Sequence, residues 1–508
     1  MKKKLILLCG AISLCVGCGT NTATTESGAG TETAVEIQAE TESESESESI
    51  IDGSVPVKNA TPLTVTTPLD TDTMFTSRDL DSTYDLAEVT ELVLADESVT
   101  IDKEGVYFVS GSLADGQIII DVDDTTGKVQ LVLDTVEINS NSSAPIYVKS
   151  ADKVFVTLAE GSENVLTVNG EYVSTDENNV DGAIFSKADI TFNGTGSLLI
   201  IDSYGNGIVG KDDVVFTNGA YMISSALHGL DVNDSVRIKE ATLYIMSGKD
   251  GMHIENADDS SKGFFYAESG TIVIAAEQDG ISTSGLLQID EGSFEIATGG
   301  GFDTILNEIT RGEGPGNIVQ PTDNLPHSMK ALKSEVDMII NNGYFSISSY
   351  EDAIHSNGNL TINGGVMSIL SGDDAVHADA HLIINDVILE VMAAYEGLEG
   401  ANLTINGGSM IINVLDDAVN VGDTGGVLTI NGGEISLLAS GDGVDSNGSF
   451  VMTGGLLIID VNAVYAGGDG NIDVNEEITI TGGTIIDGEG NPIDPHAGMR
   501  NSAGGRKN

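Results

Sequence analysis

Short apolar runs separated by polar turns make up most of this sequence. The runs at 117–122, 129–133 and 154–158 are rich in Ile, Val and Leu, and Gly, Asp or Asn residues lie close to their ends. Such runs are typical of short buried β-strands. No stretch keeps a convincing helical period over three turns. The pattern therefore predicts an all-β fold.

One motif, which we call the anchor motif, recurs between 350 and 447. It joins an acidic, a small, an aliphatic and a polar residue, as in Asp352-Ala353-Ile354-His355. Its small residue, the anchor residue, recurs after 22, 22, 21 and 25 residues, at Ala353, Ala375, Gly397, Ala418 and Gly443. The anchor residue also occurs earlier in the chain, at Gly207, Gly229, Gly251, Gly280 and Ala331. Loops predicted near 258–261 and 299–327 lengthen the spacing in two places. A fixed period near 22 residues indicates one structural unit stacked many times.

Each repeat contains two further strand signatures. One is Leu-Thr-Ile-Asn-Gly-Gly, at 360–365, 403–408 and 428–433, and the other has an apolar residue six positions before each anchor residue. Three strands per repeat predict a right-handed parallel β-helix with three parallel sheets, because crossovers between parallel strands are right-handed. Asparagines recur at one corner, where we expect only a structural turn and side-chain ladder: Asn363, Asn385, Asn406 and Asn431.

The N-terminus has the features of a bacterial lipoprotein signal. Three lysines precede an apolar stretch at 5–16, which is too short to span a bilayer, and Cys18 would be the lipidated residue. Plain secretion is the alternative. We predict a signal peptide at 1–18, a disordered Ser/Thr/Glu-rich tether at 19–73, a cap at 74–109, the β-helix at 110–487 and a polar tail at 488–508. This order would place the protein on the extracellular face of the cell membrane, held by its lipid.

The charge balance restricts the possible partners. The chain has 79 acidic and 21 basic residues, a net charge of −58. Such a surface repels nucleic acid and anionic lipid, so we expect no nucleic-acid partner and no membrane contact except through the lipid anchor. We expect a monomer. The charge favours polyvalent cations, or partners that cations can bridge.

Acidic residues next to the anchor residues predict a calcium site. Coils stack about 4.8 Å apart, so acids in register repel one another unless a counter-charge is present. We place them at a corner of the coil, beside small residues that leave the surface open to a ligand. A hard cation with six to eight oxygen ligands suits them. The predicted Ca²⁺ ligands are Asp352, Asp373, Asp374, Glu396, Glu399, Asp416, Asp417, Asp442 and Asp445. Solvated acidic corners are the alternative, and the pair His355 and His377 is only a weak indication of zinc.

Several motifs together carry a resemblance. Asp-Ala-Ile-His at 352–355, Tyr-Glu-Gly-Leu-Glu-Gly at 395–400, the Leu-Thr-Ile-Asn-Gly-Gly repeats and 144–149 resemble the clostridial cell-surface carbohydrate-binding β-helix family. The resemblance covers about 75–487. It implies a fold related to pectate lyases, bound calcium, and binding of cellulose or acidic polysaccharide such as polygalacturonate without established catalysis. The chain has no Trp to stack on sugars, which favours the acidic polymer, bridged by calcium.

Two other functions remain open. A polysaccharide lyase would combine calcium with a basic residue that removes a proton, and the candidates are Lys330 and Lys333. We favour the interpretation that these lysines pair with the acidic residues beside them, and we therefore expect no catalytic residue. The third possibility is a structural spacer or adhesin in which calcium supplies only rigidity.

Overall fold

The apolar runs stack into a parallel β-solenoid of about 15 turns, with coils about 24 residues apart along the chain. This confirms the predicted fold class, and loops account for the excess over 22 residues. The computed structural model describes residues 66–497 except 96, 175, 303, 305–309, 312–317, 320–324 and 462–469. Cys18 and the predicted tether as far as 65 lie outside the described residues.

Three stacks of parallel strands run along the solenoid, and we call them the first, second and third sheets in the order in which each coil enters them. The first sheet contains the anchor motifs. Its strands are β2 (Val99–Ile101), β4 (Ile118–Asp121), β6 (Ile146–Ser150), β9 (Gly182–Ser186), β12 (Asn206–Gly210), β15 (Leu230–Val232), β18 (Met252–Ile254), β21 (Ile281–Thr283), β26 (Leu332–Ser334), β29 (Ile354–Ser356), β36 (Val419–Val421), β39 (Val444–Ser446) and β42 (Ile472–Val474).

The second sheet contains the Leu-Thr-Ile-Asn repeats. Its strands are β1 (Thr90–Leu94), β7 (Lys153–Leu158), β10 (Asp189–Gly194), β13 (Val214–Phe216), β16 (Ser235–Ile238), β19 (Phe264–Ala267), β22 (Leu287–Ile289), β27 (Met338–Ile340), β30 (Leu360–Ile362), β37 (Val427–Ile430), β40 (Ser449–Met452) and β43 (Ile478–Ile480).

The third sheet completes each coil. Its strands are β8 (Glu163–Val168), β11 (Ser197–Asp202), β14 (Ala220–Ser225), β17 (Thr242–Ser247), β20 (Thr271–Ala276), β23 (Ser293–Thr298), β28 (Tyr344–Ser348), β31 (Val366–Leu370), β33 (Ile388–Ala394), β35 (Ser409–Val414), β38 (Glu434–Ala439), β41 (Leu456–Val461) and β44 (Thr484–Asp487).

Some strands depart from this plan. Long strands turn a corner without a break: β3 (Gly105–Leu113) and β5 (Lys128–Ser140) from the second sheet to the third, and β32 (Asp374–Ile384) and β34 (Glu396–Ile405) from the first to the second. An antiparallel pair, β24 (Thr310–Arg311) and β25 (Ile318–Val319), lies in the insertion predicted at 299–327. A 3-10 helix spans Thr71–Thr73. In the described part of the chain, no helix is both long and apolar enough to cross a membrane.

The anchor residues belong to the core. Ala353, Ala375 and Ala418 are fully buried. A Cβ atom added to Gly229 would collide with the Ile245 side chain and the Gly251 carbonyl of the next coil. The expectation that these small residues leave an open surface is therefore wrong. They are small because the apolar residue six positions before the next anchor residue packs directly against them.

The asparagine ladder is present at the corner after the second sheet. Each Nδ2 donates a hydrogen bond of 2.7–2.8 Å to the Oδ1 of the asparagine one coil earlier, in the series Asn341, Asn363, Asn385, Asn406 and Asn431. This confirms the structural role predicted for these residues.

The N-terminal segment differs from the prediction. The strands β2 and β3 already belong to the solenoid, within the cap predicted at 74–109. Residues 66–81 form a strap across the outer side of the second sheet. From residue 66 to residue 79, the strap contacts coils that lie progressively closer to the first coil. The hydrogen-bonded pairs are Thr66–Asp337, Leu69–Gln288, Met74–Arg237 and Asp79–Thr191. The strap therefore ties distant coils together.

The C-terminal end is also covered. Residues 488–497, predicted as part of a polar tail, turn back on the last coil. The Ile493 amide donates to the Ile485 carbonyl at 3.1 Å, and the Ile493 side chain packs on the core. This turn covers apolar surface that a solenoid end would otherwise expose.

Candidate functional site

Two columns of polar side chains follow the first sheet, one residue from each column per coil. The inner column holds the residue just before each anchor residue: Asn206, His228, Asp250, Asp279, Lys330, Asp352, Asp374, Glu396, Asp417 and Asp442. The outer column holds the residue two positions after it, and the strand register aligns Asp231, His253, Ser282, Lys333, His355, His377, Glu399, Asn420, Asp445 and Asp473.

Carboxylates of the inner column are built into the coil corner. The Oδ1 atom of Asp250 accepts the backbone N–H of Asp279 at 3.0 Å, and Asp352 accepts that of Asp374 at 3.2 Å. Asp352, Asp374 and Asp442 are only 3%, 6% and 8% exposed. The corner placement agrees with the prediction, but these three acids are not the solvated corners of the alternative interpretation.

From His228 to His377 the columns contain bases as well as acids, and we call this the mixed-charge section. The Lys330 ammonium pairs with Glu351 and, at 2.6 Å, with Asp352. His355 Nδ1 lies 2.7 Å from Asp352 Oδ2. Burial alone would raise the pKa of Asp352, but His355 and Lys330 hold it well below its usual range. The lysines therefore make the ion pairs that the pairing interpretation expected, including Lys333 with Asp279 at 3.4 Å.

His377 closes the mixed-charge section. Its Nδ1 lies 2.7 Å from Asp374 Oδ2 and 3.2 Å from Glu399 Oε2. Burial alone would lower the pKa of His377, but these carboxylates raise it to about 11. The pKa of Asp374 stays raised by burial and by the Asp352 and Asp373 charges. Ligand atoms of Asp352, Asp373 and Asp374 lie within 4.8 Å of one another, as do those of Asp374, His377 and Glu399.

The next coils form an all-acid section, which consists of Glu396, Asp416, Asp417, Asp442 and Asp445. The sequence has no Lys or Arg between Lys333 and Arg500, and no His between His381 and His496. The Asn420 side chain donates to Glu396 at 2.9 Å. A Cβ atom added to Gly441 would collide with both the Asp416 and the Asp417 carboxylate, so oxygens of these two acids converge there.

Electrostatics in the all-acid section are unbalanced. Burial first, and then the neighbouring carboxylates, raise the pKa of Glu396 to about 8, of Asp417 to about 7 and of Asp445 to about 6. Among the described residues, no group of three potential ligand atoms within 4.8 Å of one another includes any of the four aspartates of this section. The section is an open set of oxygen donors spread over several coils.

The sequence analysis missed the beginning of the columns. His228, Asp250, His253 and Asp279 hold the same positions relative to Gly229, Gly251 and Gly280 as the predicted ligands hold further on. The spacing of those anchor residues was the available signal.

Exposed tyrosines lie on the third sheet and also beside the inner column, where Tyr204 is 46% exposed. Tyr244 and Tyr344, on strands of the third sheet, are 39% and 63% exposed, whereas Phe294 and Phe345 are stacked in the core.

Comparison with known proteins shows the family to which the chain belongs. A family model described as carbohydrate-binding domain-containing protein matches residues 95–375 and 373–488. The chain belongs to this carbohydrate-binding family. The first matched range contains the mixed-charge section except His377, and the second contains His377 and the all-acid section.

This carbohydrate-binding family member is similar to a sequence relative and to a solved structure. A carbohydrate-binding domain-containing protein of Acetivibrio thermocellus is 37% identical over 214 residues, which is 42% of this chain and 74% of the relative. A solved structure, described as the polysaccharide lyase-like protein from C. thermocellum in a gadolinium derivative, is 34% identical and has a TM-score of 0.40. The match covers 42% of this chain and 91% of that one.

Proposed function

We propose that this protein binds acidic polysaccharide through calcium held by the all-acid section. Membership of the carbohydrate-binding family supports polysaccharide binding in general. The observation that carries the finer proposal is the run of partly buried carboxylates with raised pKa values and no basic residue beside them. A cation is the counter-charge that such a run requires near neutral pH.

Calcium suits the donors in this section. They are carboxylate oxygens and the Asn420 amide, and calcium takes six to eight oxygens in flexible geometry. A spread set of side chains leaves part of the coordination sphere open. Uronate carboxylates of a polymer would fill it, so one ion would bind protein and polysaccharide together. Such bridging would allow a chain of net charge −58 to bind a polyanion.

A lyase is the competing function, and the contacts of Lys330 disfavour it. Although burial alone would lower the pKa of Lys330, the Asp352 and Glu351 carboxylates raise it above its usual value. A protonated ammonium cannot accept a proton from a sugar. Ultraviolet-absorbing unsaturated products from polygalacturonate, lost in Lys330→Ala or Lys333→Ala, would replace the binding proposal with the lyase.

We also propose that a lipid on Cys18 and the segment 19–65 hold the protein on the extracellular face of the membrane. This rests on the sequence of the N-terminus. Incorporation of a labelled fatty acid that disappears in Cys18→Ser would support it, and equal labelling of both proteins would contradict it.

The decisive experiment is retention of the full chain on insoluble polygalacturonate with calcium or with chelator. We expect retention with calcium and its loss with chelator. The triple variant Asp417→Asn/Asp442→Asn/Asp445→Asn should lose retention. Glu434→Gln, an exposed acid on the third sheet beside the same coils, should keep it. Retention that ignores chelator would refute calcium bridging, and no retention under either condition would favour the spacer or adhesin.

A further inference from the structure

A second kind of ligand set lies at the start of the mixed-charge section, away from the all-acid section. Asp250 sits in the inner column, His228 precedes it by one coil, and His253 lies beside it in the outer column. The Asp250 carboxylate is 6% exposed, and the two imidazole rings stack with their centroids 4.8 Å apart. Ligand atoms of all three residues lie within 4.8 Å of one another.

We propose that His228, Asp250 and His253 form a binding site for a divalent transition-metal ion such as Zn²⁺. Asp250 Oδ2 lies 3.3 Å from His228 Nδ1 and 3.1 Å from His253 Nδ1. A tetrahedral ion with bonds of about 2.0–2.1 Å separates its ligand atoms by about 3.3 Å. The three side chains are thus spaced as ligands around one ion, and two imidazoles with one carboxylate favour a transition metal over calcium.

The unpaired nitrogens support this site. Both Nδ1 atoms are buried beside the Asp250 carboxylate, but neither makes a well-aligned hydrogen bond with it or with any other described residue. A buried polar atom without a partner is costly, and a bound ion would remove that cost. Water can reach the fourth position, because the His253 side chain is 30% exposed.

The other nitrogen of His253 is positioned as in known metal sites. Its Nε2 lies 3.1 Å from the Glu255 carboxylate. A hydrogen bond from Nε2–H to Glu255 leaves Nδ1 with its lone pair directed at the site, and metal-bound histidines commonly have such a carboxylate partner.

The second histidine pair is the internal comparison. His355 and His377 also stack, with centroids 4.7 Å apart. Their Nδ1 atoms, however, make hydrogen bonds of 2.7 Å to Asp352 and Asp374, too short for an ion between the atoms. Lys330 already neutralises Asp352. The two histidine pairs occupy equivalent positions in the fold. His228 and His253 are spaced as metal ligands, whereas His355 and His377 are held by short hydrogen bonds.

The test is Zn²⁺ titration of the full chain against a chromophoric competing chelator, with excess calcium to fill oxygen sites. We expect one tight equivalent, weakened about 100-fold or more in His228→Gln and in His253→Gln. The matched variants His355→Gln and His377→Gln should bind as the parent does. Cys9, Cys15 and Cys18 are present in every variant, so they do not affect the comparison.

Two additional measurements guard against misfolding. Glu255→Gln changes a half-exposed side chain, and we expect about a tenfold loss of Zn²⁺ affinity. Co²⁺ should give visible absorption bands that are lost in the His253 variant, with unchanged circular dichroism. Equal Zn²⁺ affinity in the parent, His228→Gln and His253→Gln would overturn the proposal, and so would loss of the tight equivalent in His355→Gln.

Discussion

The mixed-charge section and the all-acid section occupy equivalent positions on one sheet, yet their charges are balanced in different ways. In the first, Lys330 and His355 lower the pKa of Asp352 despite its burial. In the second, burial and like charges raise the pKa of Asp417 to about 7. The backbone is the same and only the side chain one coil away differs. A solenoid can thus neutralise its acids internally or leave them for an external cation, coil by coil.

The largest expected effect comes from removing an acid that is already paired. Asp352→Asn keeps the Oδ1 atom that accepts the Asp374 amide but removes the charge that faces Lys330 and His355. Breaking a buried ion pair costs about 3–5 kcal/mol. We expect a loss of stability of about 3 kcal/mol in urea denaturation, with or without calcium. A change below about 1 kcal/mol would mean that the mixed-charge section is not internally balanced.

Lowering the pH should stabilise the all-acid section, whereas it would destabilise an ordinary ion pair. For Glu396, Asp417 and Asp445 the folded-state pKa is raised, so the native state binds more protons than the unfolded state between pH 4 and 8. Stability in chelator should therefore fall as pH rises through this window, by several degrees in melting temperature. Calcium should restore most of the loss at pH 8. A flat profile in chelator would contradict the assigned electrostatics.

The matched substitution Asp417→Asn should have a smaller effect of opposite sign. Its Oδ1 atom can still accept the Asp442 amide, while one repelling charge disappears. In chelator at pH 8 we expect a gain of about 1 kcal/mol, because one unit of pKa shift corresponds to about 1.4 kcal/mol. The gain on adding calcium should shrink. If Asp417→Asn and Asp352→Asn both destabilise the protein in chelator, the two sections do not differ in how their charges are balanced.

The smallest expected effect tests which surface of the solenoid binds the polysaccharide. Tyr344 is the most exposed tyrosine on the third sheet, away from both sections. We expect Tyr344→Ala to reduce retention on polygalacturonate by less than about fivefold, since one exposed aromatic contact is worth about 1 kcal/mol at most. A loss comparable to that of the all-acid triple variant would move the binding surface to the third sheet.

Sequence periodicity was sufficient for the parts of the fold that repeat. The spacing of Ala353, Ala375 and Gly397 predicted the register of the first sheet, and Asn363 and Asn385 predicted a ladder, because both depend on neighbours at a fixed distance along the chain. The strap at 66–81 has no period, and the partners of its side chains lie as far as 271 residues away along the chain, so nothing local indicated it.

The chemistry of the columns was harder to predict. Whether an acid is balanced depends on which residue stands one coil away. Asp250 was missed although the spacing identified Gly251 as an anchor residue, because no doubled acid marks the position. The burial of Ala353 required knowing that the apolar residue six positions before the next anchor residue packs on it, which follows only from the stacked coils.

The strap also sets how the molecule would respond to pulling. If the protein is held by its N-terminus, tension enters beside Asp337, far from the first coil, and runs back toward it through Asp79. Asp79 is 1% exposed and ion-paired with Lys153 at 2.7 Å. The load would be applied in shear, along many bonds at once, instead of peeling one terminal strand at a time. Such an arrangement would let a polymer-bound solenoid resist drag from flowing medium.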